Sequence, residues 1–341
     1  MSEGSRRERA QKQDLAALIR DSQSSLTPGR WRLLDMSTAY LERTPRDLIR
    51  EVTAALARAP GARRKALALR RLFTAPRSVT TASAGPSADL GEPALSLDRL
   101  VVTKDRGLIA FDPAGAKVVH LRRTPFAVHY RQRRIALAET YPMLSWRLSA
   151  DSRVLIEGRA PGEALAHWSA PDKIALVRTV LRAVSGAVAR GDEEGPLIDA
   201  DAGDLLDLLR GWGEGSRWHD ALRTSRESAS VPWVLAHGDL TPENIIGWGP
   251  EDWTPIDFED ARPAPFFFDP VSLIVRDRQL RSGALSGAFH AEWDALLAAA
   301  SIEPRALSLP VAMDMVALGA AMHHHRSHGG DFRYTLTSLS S

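Results

Sequence analysis

Apolar side chains recur along the chain with two spacings, which predict two kinds of structure. Runs in which about every second residue is apolar predict strands at 94–102, 108–111 and 117–121. From about residue 125, apolar residues recur every three or four positions, which predicts helices at 125–139, 171–189, 201–212 and 216–228. The pattern therefore indicates an α+β protein in which a sheet-rich part precedes a mainly helical part.

The first 77 residues differ from the rest in charge. They contain 17 Lys and Arg against 8 Asp and Glu, a balance of +9, whereas the whole chain is +2 and the remainder is therefore −7. Apolar periodicity predicts helices at 14–26, 45–59 and 62–73, and a stretch rich in Ser, Pro, Gly and Ala follows. We expect a basic helical extension at 1–77 and a linker at 78–94.

The basic extension could contact nucleic acid or an anionic membrane surface. The acidic balance of the remaining residues favours another interpretation, in which the arginines form a solvated face or dock onto an acidic partner or onto the rest of the chain. Nucleic acid is therefore not an expected partner.

Composition excludes several classes of protein. The chain has no cysteine, which excludes disulfides and thiolate metal sites. No apolar run approaches the roughly 20 residues needed to cross a bilayer, and the polar N-terminus lacks a signal-peptide core. We expect a cytoplasmic protein without an integral membrane segment.

Two short motifs contain the residues best suited to chemistry. HGDLTPEN occupies 237–244 and IDFE occupies 256–259, and the apolar residues between them flank a turn at 247–253. This predicts a hairpin that holds Asn244 and Asp257 side by side. Carboxylate and amide oxygens are ligands that Mg²⁺ prefers. The Asp239 carboxylate could accept a hydrogen bond from a substrate hydroxyl and later take its proton. Asp and Gly are also common in turns, but both motifs in this order favour phosphoryl transfer.

HGDLTPENII followed by IDFE resembles the aminoglycoside phosphotransferase and choline kinase-like family, a branch of the protein-kinase-like fold, over roughly residues 95–330. The resemblance implies two lobes, with a small β-rich N-lobe at 95–157 and a larger, mainly helical C-lobe at 158–341. ATP and Mg²⁺ would bind between the lobes.

Within this framework each motif residue has an expected role. Asp239 would orient and deprotonate the acceptor hydroxyl, while His237 would brace the catalytic loop. Asn244 and Asp257 would hold the metal.

The predicted N-lobe departs from the family pattern. A lysine that contacts the phosphates is expected at the position of His120, and Arg122 follows on the same face of the strand. The next helix has Gln-Arg-Arg at 132–134 where the family has the glutamate that pairs with this lysine. The ion pair is therefore missing or rebuilt, and Arg122 or Arg123 would supply the positive charge.

Two more segments are candidates for nucleotide contact. The turn at 103–107 would cover the phosphates, although it has a single glycine. Residues 154–162 resemble the strand and hinge that join the lobes, which makes Glu157 a candidate at the nucleotide site. A plain hairpin turn and a generic strand-to-helix loop fit these segments equally well.

Asp269 and Pro270 follow a run of phenylalanines. Asp269 is expected to be the N-cap of a helix with Pro270 at its first position, a structural role.

A histidine cluster lies at 323–328. His324 and His328 would share one face of a helix, but two imidazoles do not complete a metal site, so a surface role is expected.

We expect an ATP-dependent phosphotransferase that acts on a hydroxyl of an aminoglycoside, sugar, amino alcohol or natural product. The acidic balance of the catalytic part mildly favours a cationic acceptor. A protein or peptide kinase is disfavoured because protein kinases favour Arg at the position of Gly238. A non-catalytic nucleotide-binding or interaction module is a third interpretation, which the missing Lys–Glu pair supports.

Overall fold

The chain divides into two compact units. The first consists of Met1–Ala127 and Leu144–Arg159, and the second of Val128–Met143 and Ala160–Ser341. The computed structural model describes residues 19, 29–33, 38–42, 78–81, 97, 99–102, 107–112, 116–122, 124–190, 193–198, 209, 217–227, 230–328 and 336.

The first unit contains an eight-stranded antiparallel sheet. Its strands in spatial order are β3-β1-β2-β4-β5-β6-β8-β7. In chain order they are β1 (Gly29–Leu33), β2 (Thr38–Glu42), β3 (Ser78–Thr81), β4 (Arg99–Val102), β5 (Leu108–Asp112), β6 (Lys117–Leu121), β7 (Trp146–Leu148) and β8 (Val154–Gly158).

Alternation of side chains explains the central strands of this sheet. Along β5 the burial alternates, so Leu108 and Ala110 face the core while Ile109 lies on the other face opposite His120. Val119 and Leu121 of β6 are buried in the same way. The strands predicted at 108–111 and 117–121 are therefore present.

The sheet begins earlier in the chain than predicted. β2 pairs with β4 in the register Ala39↔Leu100, and Trp31 of β1 is fully buried. Residues 29–33, 38–42 and 78–81 thus contribute strands where a helical extension and a linker were expected. The reason is long-range pairing, which a local pattern does not reveal. The helices predicted at 14–26, 45–59 and 62–73 lie outside the described residues, apart from Ile19, which is helical.

The second unit is mainly helical. Within the residues that the structure describes, its helices are α1 (Tyr130–Leu137), α2 (Ala170–Val188), α3 (Arg217–Glu227), α4 (Phe268–Arg276), α5 (Arg278–Leu285), α6 (His290–Ala299) and α7 (Leu309–His328). The described part of this unit also has six short strands: β9 (Glu163–Ala164), β10 (Glu193–Gly195), β11 (Val231–Ala236), β12 (Ile245–Gly249), β13 (Asp252–Pro255) and β14 (Arg262–Pro265). They form two sheets, in the orders β10-β11-β14 and β13-β12-β9.

Helix α4 lies at the centre of the second unit. All residues from Phe268 to Val275 are buried, and α2, α5 and α7 pack against the helix. Helix α2 begins at its N-cap Ser169, whose hydroxyl accepts the Asp172 N–H, and it buries an apolar face that includes Leu176 and Val180. The core therefore fixes the position of α4. The loop at 237–241 is hydrogen-bonded to this helix through Asp269.

Helix α1 is shorter than predicted and belongs to the second unit rather than the sheet-rich part. It begins after His129 instead of at Pro125, and residues 124–129 are not helical. The predicted α+β class, with a β-rich part followed by a larger, mainly helical part, is confirmed. Among the described helices, none has the length and apolar character to cross a bilayer.

Candidate functional site

The two motifs lie on either side of a β-hairpin in the second unit. Strand β11 leads into the loop at 237–241, a 3-10 turn at Pro242–Asn244 follows, and β12 pairs with β13 in the register Ile245↔Pro255. At the open end of the hairpin, Ile256 N–H donates to the Asn244 carbonyl at 2.9 Å. The predicted hairpin is present, and this bond joins the backbones next to Asn244 and Asp257.

Asp239 and Asn244 are held together within one loop. The Asn244 side-chain amide donates from Nδ2 to the Asp239 carbonyl at 2.9 Å and to Asp239 Oδ2 at 3.0 Å. With its amide nitrogen used in this way, Asn244 retains its side-chain oxygen as an acceptor or ligand. The Asp239 carboxylate is about one-third exposed (34%), so it is open to a small molecule.

Arg276 places a positive charge beside Asp239. Its Nη1 lies 3.4 Å from Asp239 Oδ1, and it is the last residue of α4, where the helix dipole favours a cation. Its sequence position, 37 residues after Asp239, gave no signal of this contact.

Asp269 anchors the loop at 237–241, which corrects the prediction that Asp269 is the N-cap of its helix. The N-cap is Phe267, and Asp269 lies in the first turn of α4 at 2% exposure. Its carboxylate accepts the His237 N–H at 2.6 Å, the Gly238 N–H at 3.1 Å and the Tyr141 hydroxyl at 2.8 Å. Its role is thus tertiary, because its donors come from other parts of the chain.

Tyr141 supplies the third of these hydrogen bonds. Burial, and then the adjacent Asp269 carboxylate, raise the pKa of the Tyr141 hydroxyl well above its ordinary value. Tyr141 therefore stays protonated, and its hydroxyl donates a hydrogen bond to Asp269. The sequence analysis did not identify this residue.

Gly238 has a backbone conformation that favours glycine. Its φ is +85°, and a Cβ at this position would overlap the Asp260 carbonyl oxygen. Arg262 Nη1 also donates to the Gly238 carbonyl at 3.3 Å. The loop therefore fits closely against the residues that follow Asp257.

His237 is fully buried and contacts both motifs. Its Nε2–H donates to the Ile256 carbonyl at 2.9 Å, and its ring lies 4.7 Å from the Phe258 ring. Burial lowers the pKa of His237, which favours the neutral ring. Its Nδ1 has no hydrogen-bond partner among the described residues, which fits an unprotonated nitrogen. Through these contacts His237 can brace the loop at 237–241 against the segment 256–258. Its assignment to the catalytic site stays a prediction.

Asp257 has an unusual backbone conformation for a non-glycine residue. Its φ and ψ are both 66°, in the left-handed region, and it directly precedes the 3-10 turn Phe258–Asp260. Such conformations persist where surrounding contacts impose them and are concentrated at functional sites. The Asp257 side chain is exposed.

The donor set of Asn244 and Asp257 fits Mg²⁺. It offers one amide oxygen and one carboxylate, leaving most of the shell to water and phosphate oxygens, as Mg²⁺ commonly requires. No cluster of three or more His, Asp or Glu side chains able to hold a metal occurs in the part of the chain that the structure describes, so the pair would need ligands from the nucleotide and water. For the histidines at 323–328, helix α7 extends to His328, but the side chains of His324 and His328 lie outside the described residues.

Arginines of α1 contact the segment after Asp257. Arg133 Nη1 donates to the Ala261 carbonyl at 2.6 Å, and the Arg134 guanidinium lies 4.9 Å from the centre of the Phe258 ring. From the sequence, residues 132–134 were noted only because they lack the glutamate that the family has there, and these contacts were not predicted.

The three predicted nucleotide contacts lie in the first unit. His120 Nε2 is 2.7 Å from Glu157 Oε2, so these two residues of β6 and β8 form a pair within the sheet. The Arg122 guanidinium lies 4.9 Å from the Phe126 ring, and Arg122 N–H donates to the Arg153 carbonyl at 2.9 Å. Arg123 and residues 103–106 lie outside the described residues.

Comparison with known proteins agrees with the motifs. Residues 158–306 match the model of a family described as the phosphotransferase enzyme family (APH), which confirms the predicted resemblance. No curated protein matches the chain.

Several solved structures are similar to the chain. A glucosamine kinase in complex with glucosamine, ADP and inorganic phosphate is 16% identical, with a TM-score of 0.46 over 71% of this chain and 80% of that one. A thermostable mutant of aminoglycoside phosphotransferase APH(4)-Ia, in a ternary complex with ADP and hygromycin B, is 12% identical, with a TM-score of 0.47 over 75% and 97%. A choline/ethanolamine kinase family protein from Mesorhizobium loti is 16% identical, with a TM-score of 0.44 over 86% and 92%.

Proposed function

We propose that this protein is an ATP-dependent phosphotransferase that transfers the γ-phosphate to a hydroxyl of a small molecule. The observation that carries the proposal is the Asp239–Asn244 pair, which is hydrogen-bonded at 2.9 and 3.0 Å. The Asn244 carbonyl also accepts the N–H of Ile256, the residue before Asp257. These residues lie within the segment that matches the phosphotransferase family. Phosphoryl transfer requires a base and oxygen ligands for a metal, and Asp239, Asn244 and Asp257 supply these groups at the two ends of one hairpin.

In the proposed reaction, Asp239 accepts a hydrogen bond from the acceptor hydroxyl and takes its proton. The acceptor oxygen forms a bond to the γ-phosphorus as the bond to the bridging oxygen of ADP breaks. Asn244 and Asp257 would hold Mg²⁺, which when bound neutralises charge on the phosphates. Asp269 and His237 keep the loop in place through the His237 N–H and the Ile256 carbonyl.

The surroundings of Asp239 favour an acceptor without a positive charge next to the reacting hydroxyl. Arg276 lies 3.4 Å from Asp239 Oδ1, so its guanidinium would repel an adjacent ammonium group. The same guanidinium can donate to a neutral hydroxyl or an anionic oxygen. We therefore propose that a polyol or hydroxy acid is preferred to an amino alcohol, contrary to the mild preference indicated by net charge.

The nucleotide contacts expected from the sequence remain part of the proposal. His120, Arg122 and Glu157 are the candidates, and the His120–Glu157 pair at 2.7 Å means that His120 already has an acidic partner. A cytoplasmic location is proposed as well, since ATP is available there.

Phosphate transfer from γ-labelled ATP to a panel of neutral, cationic and anionic hydroxylated acceptors tests the proposal. Asp239→Asn should reduce transfer by about 10²-fold or more, the usual contribution of a positioned base, while retaining ATP binding. Asp252→Asn is the matched control, because Asp252 is an exposed aspartate of the hairpin that follows the loop of Asp239, and this variant should transfer at the wild-type rate. Equal transfer by Asp239→Asn and wild type would overturn the assignment.

A second candidate is a nucleotide-binding or interaction module without turnover. It is favoured by His120 and by the α1 arginines, which occupy the positions where the family has its Lys–Glu pair. Thermal unfolding with ATP, with and without Mg²⁺, followed by the transfer assay, separates the candidates. Stabilisation without transfer to any acceptor supports the module, and no stabilisation at all supports a role that does not involve nucleotide.

A further inference from the structure

Helix α1 offers two arginines to the segment that follows Asp257. The helix, Tyr130–Leu137, has the sequence YRQRRIAL and no acidic residue. Glu139 lies beyond its end and is 3.8 Å from Arg190, a pair in which both side chains are largely exposed. The acidic partner expected on this helix is therefore absent from it, and basic side chains take part in long-range contacts instead.

Arg133 contacts the end of the turn. Its Nη1 donates to the Ala261 carbonyl at 2.6 Å, across 128 residues of sequence. Ala261 is the residue that ends the 3-10 turn Phe258–Asp260, and its own N–H donates to the Phe258 carbonyl at 3.3 Å. A charged donor makes a strong hydrogen bond with a carbonyl, so Arg133 fixes the end of this turn.

Arg134 contacts the start of the same turn. It is only 1% exposed, its guanidinium lies 4.9 Å from the Phe258 ring, and its Nη1 donates to the Tyr130 hydroxyl at 2.8 Å. A guanidinium shielded from water interacts favourably with an aromatic face. Phe258 in turn lies against the His237 ring, so the contact extends to the catalytic loop.

The contacts of Arg133 and Arg134 bear on the backbone conformation of Asp257, which directly precedes the turn. Its left-handed φ of 66° costs more than a right-handed conformation, although aspartate adopts it more readily than most residues, so contacts on both sides of Asp257 help to hold it. Arg133 and Arg134 hold both ends of the 3-10 turn that begins at the next residue. The orientation of the Asp257 carboxylate therefore depends on α1.

We propose that Arg133 and Arg134 are positioning residues that set the metal-binding conformation of Asp257, in place of the ion pair that the chain lacks. This inference rests on the proposed function for the metal, while the structural coupling between α1 and the turn does not. Arg133 acts through the Ala261 carbonyl and has no role as a ligand.

Arg133→Ala tests the proposal, with Arg131→Ala as the matched control, since Arg131 is an exposed residue of the same helix. Loss of a group that orients a metal ligand commonly lowers metal affinity 10–100-fold, so Arg133→Ala should raise the Mg²⁺ concentration for half-maximal ATP binding about tenfold or more. Arg133→Lys, which keeps a charged donor, should recover part of the loss. Arg131→Ala should match wild type.

Hydrogen exchange of the 252–265 segment without nucleotide supplies an independent readout. Faster exchange in Arg133→Ala, with wild-type exchange in Arg131→Ala, supports the coupling. If wild type binds Mg-ATP but Arg133→Ala has the same Mg²⁺ dependence and exchange, this inference is wrong and the proposed function stands. If wild type binds no Mg-ATP while exchange still rises, the proposed function is wrong and only the coupling stands.

Discussion

Replacing Asp269 by alanine should both loosen the loop at 237–241 and destabilise the protein. The Asp269 carboxylate is the acceptor for the His237 and Gly238 N–H groups and the Tyr141 hydroxyl, at 2.6, 3.1 and 2.8 Å. Alanine would leave these donors without their acceptor in a buried environment. Since each unsatisfied buried group costs about 1–3 kcal/mol, we expect the loss of the acceptor for three donors to lower the free energy of unfolding by about 3–9 kcal/mol.

Asp269→Asn should give a smaller loss. The asparagine keeps one oxygen that can accept hydrogen bonds. Its NH₂ group replaces the second carboxylate oxygen and cannot accept the hydrogen bond that this oxygen received. Phosphate transfer should fall in both variants, and more in the alanine variant, because the loop that presents Asp239 loses its attachment to α4.

Urea-induced unfolding, followed by tryptophan fluorescence, measures these differences. Asp294→Ala is the control, because Asp294 is exposed on α6 and its removal should change stability by no more than about 0.5 kcal/mol. If Asp269→Ala is as stable as Asp294→Ala, the carboxylate does not hold the loop, and the explanation of the loop geometry fails.

Three further predictions concern stability. Gly238→Ala should lower the melting temperature and phosphate transfer, since φ is +85° and a Cβ would overlap a backbone oxygen, whereas Gly249→Ala, with no atom near its Cβ, should have little effect; calorimetric melting and the transfer assay compare them. Burial lowers the pKa of His237, so the unfolded state binds the proton more tightly, and this contribution to stability is present above the unfolded pKa of about 6.5 and lost as pH falls below it. Denaturant unfolding from pH 7 to 5 should therefore show a steeper loss for wild type than for His237→Gln, and equal slopes would contradict the assignment. Burial raises the pKa of Asp314 to about 6, so its contribution is present at low pH and lost as pH rises from about 4 through 6; Asp314→Asn should gain stability relative to wild type over this range, and a constant difference would refute it.

The sequence predicted the elements whose information is local. The strands at 108–111 and 117–121 have clear alternation, and the hairpin at 245–255 lies between apolar runs with a glycine-containing turn. Both motifs were recognisable because their residues are close in the chain.

Contacts between distant residues were not predictable in this way. Asp269 was expected to cap its own helix, but it accepts hydrogen bonds from residues 31, 32 and 128 positions away. Arg133 was identified only as the wrong residue for an ion pair, while its contact with Ala261 depends on how α1 packs. The first two strands are too short for their apolar pattern to identify them, and their place in the sheet is fixed by pairing with strands at 78–81 and 99–102.

Calorimetric titration of ATP in the presence and absence of Mg²⁺ tests the central claim without requiring a known acceptor. If Asn244 and Asp257 hold a metal–nucleotide complex and Asp239 serves as the base, wild type and Asp239→Asn should both bind ATP in a Mg²⁺-dependent way, and Asp257→Asn should lose that dependence. The claim would be contradicted if Mg²⁺ did not affect ATP binding by wild type, or if Asp257→Asn kept the full effect.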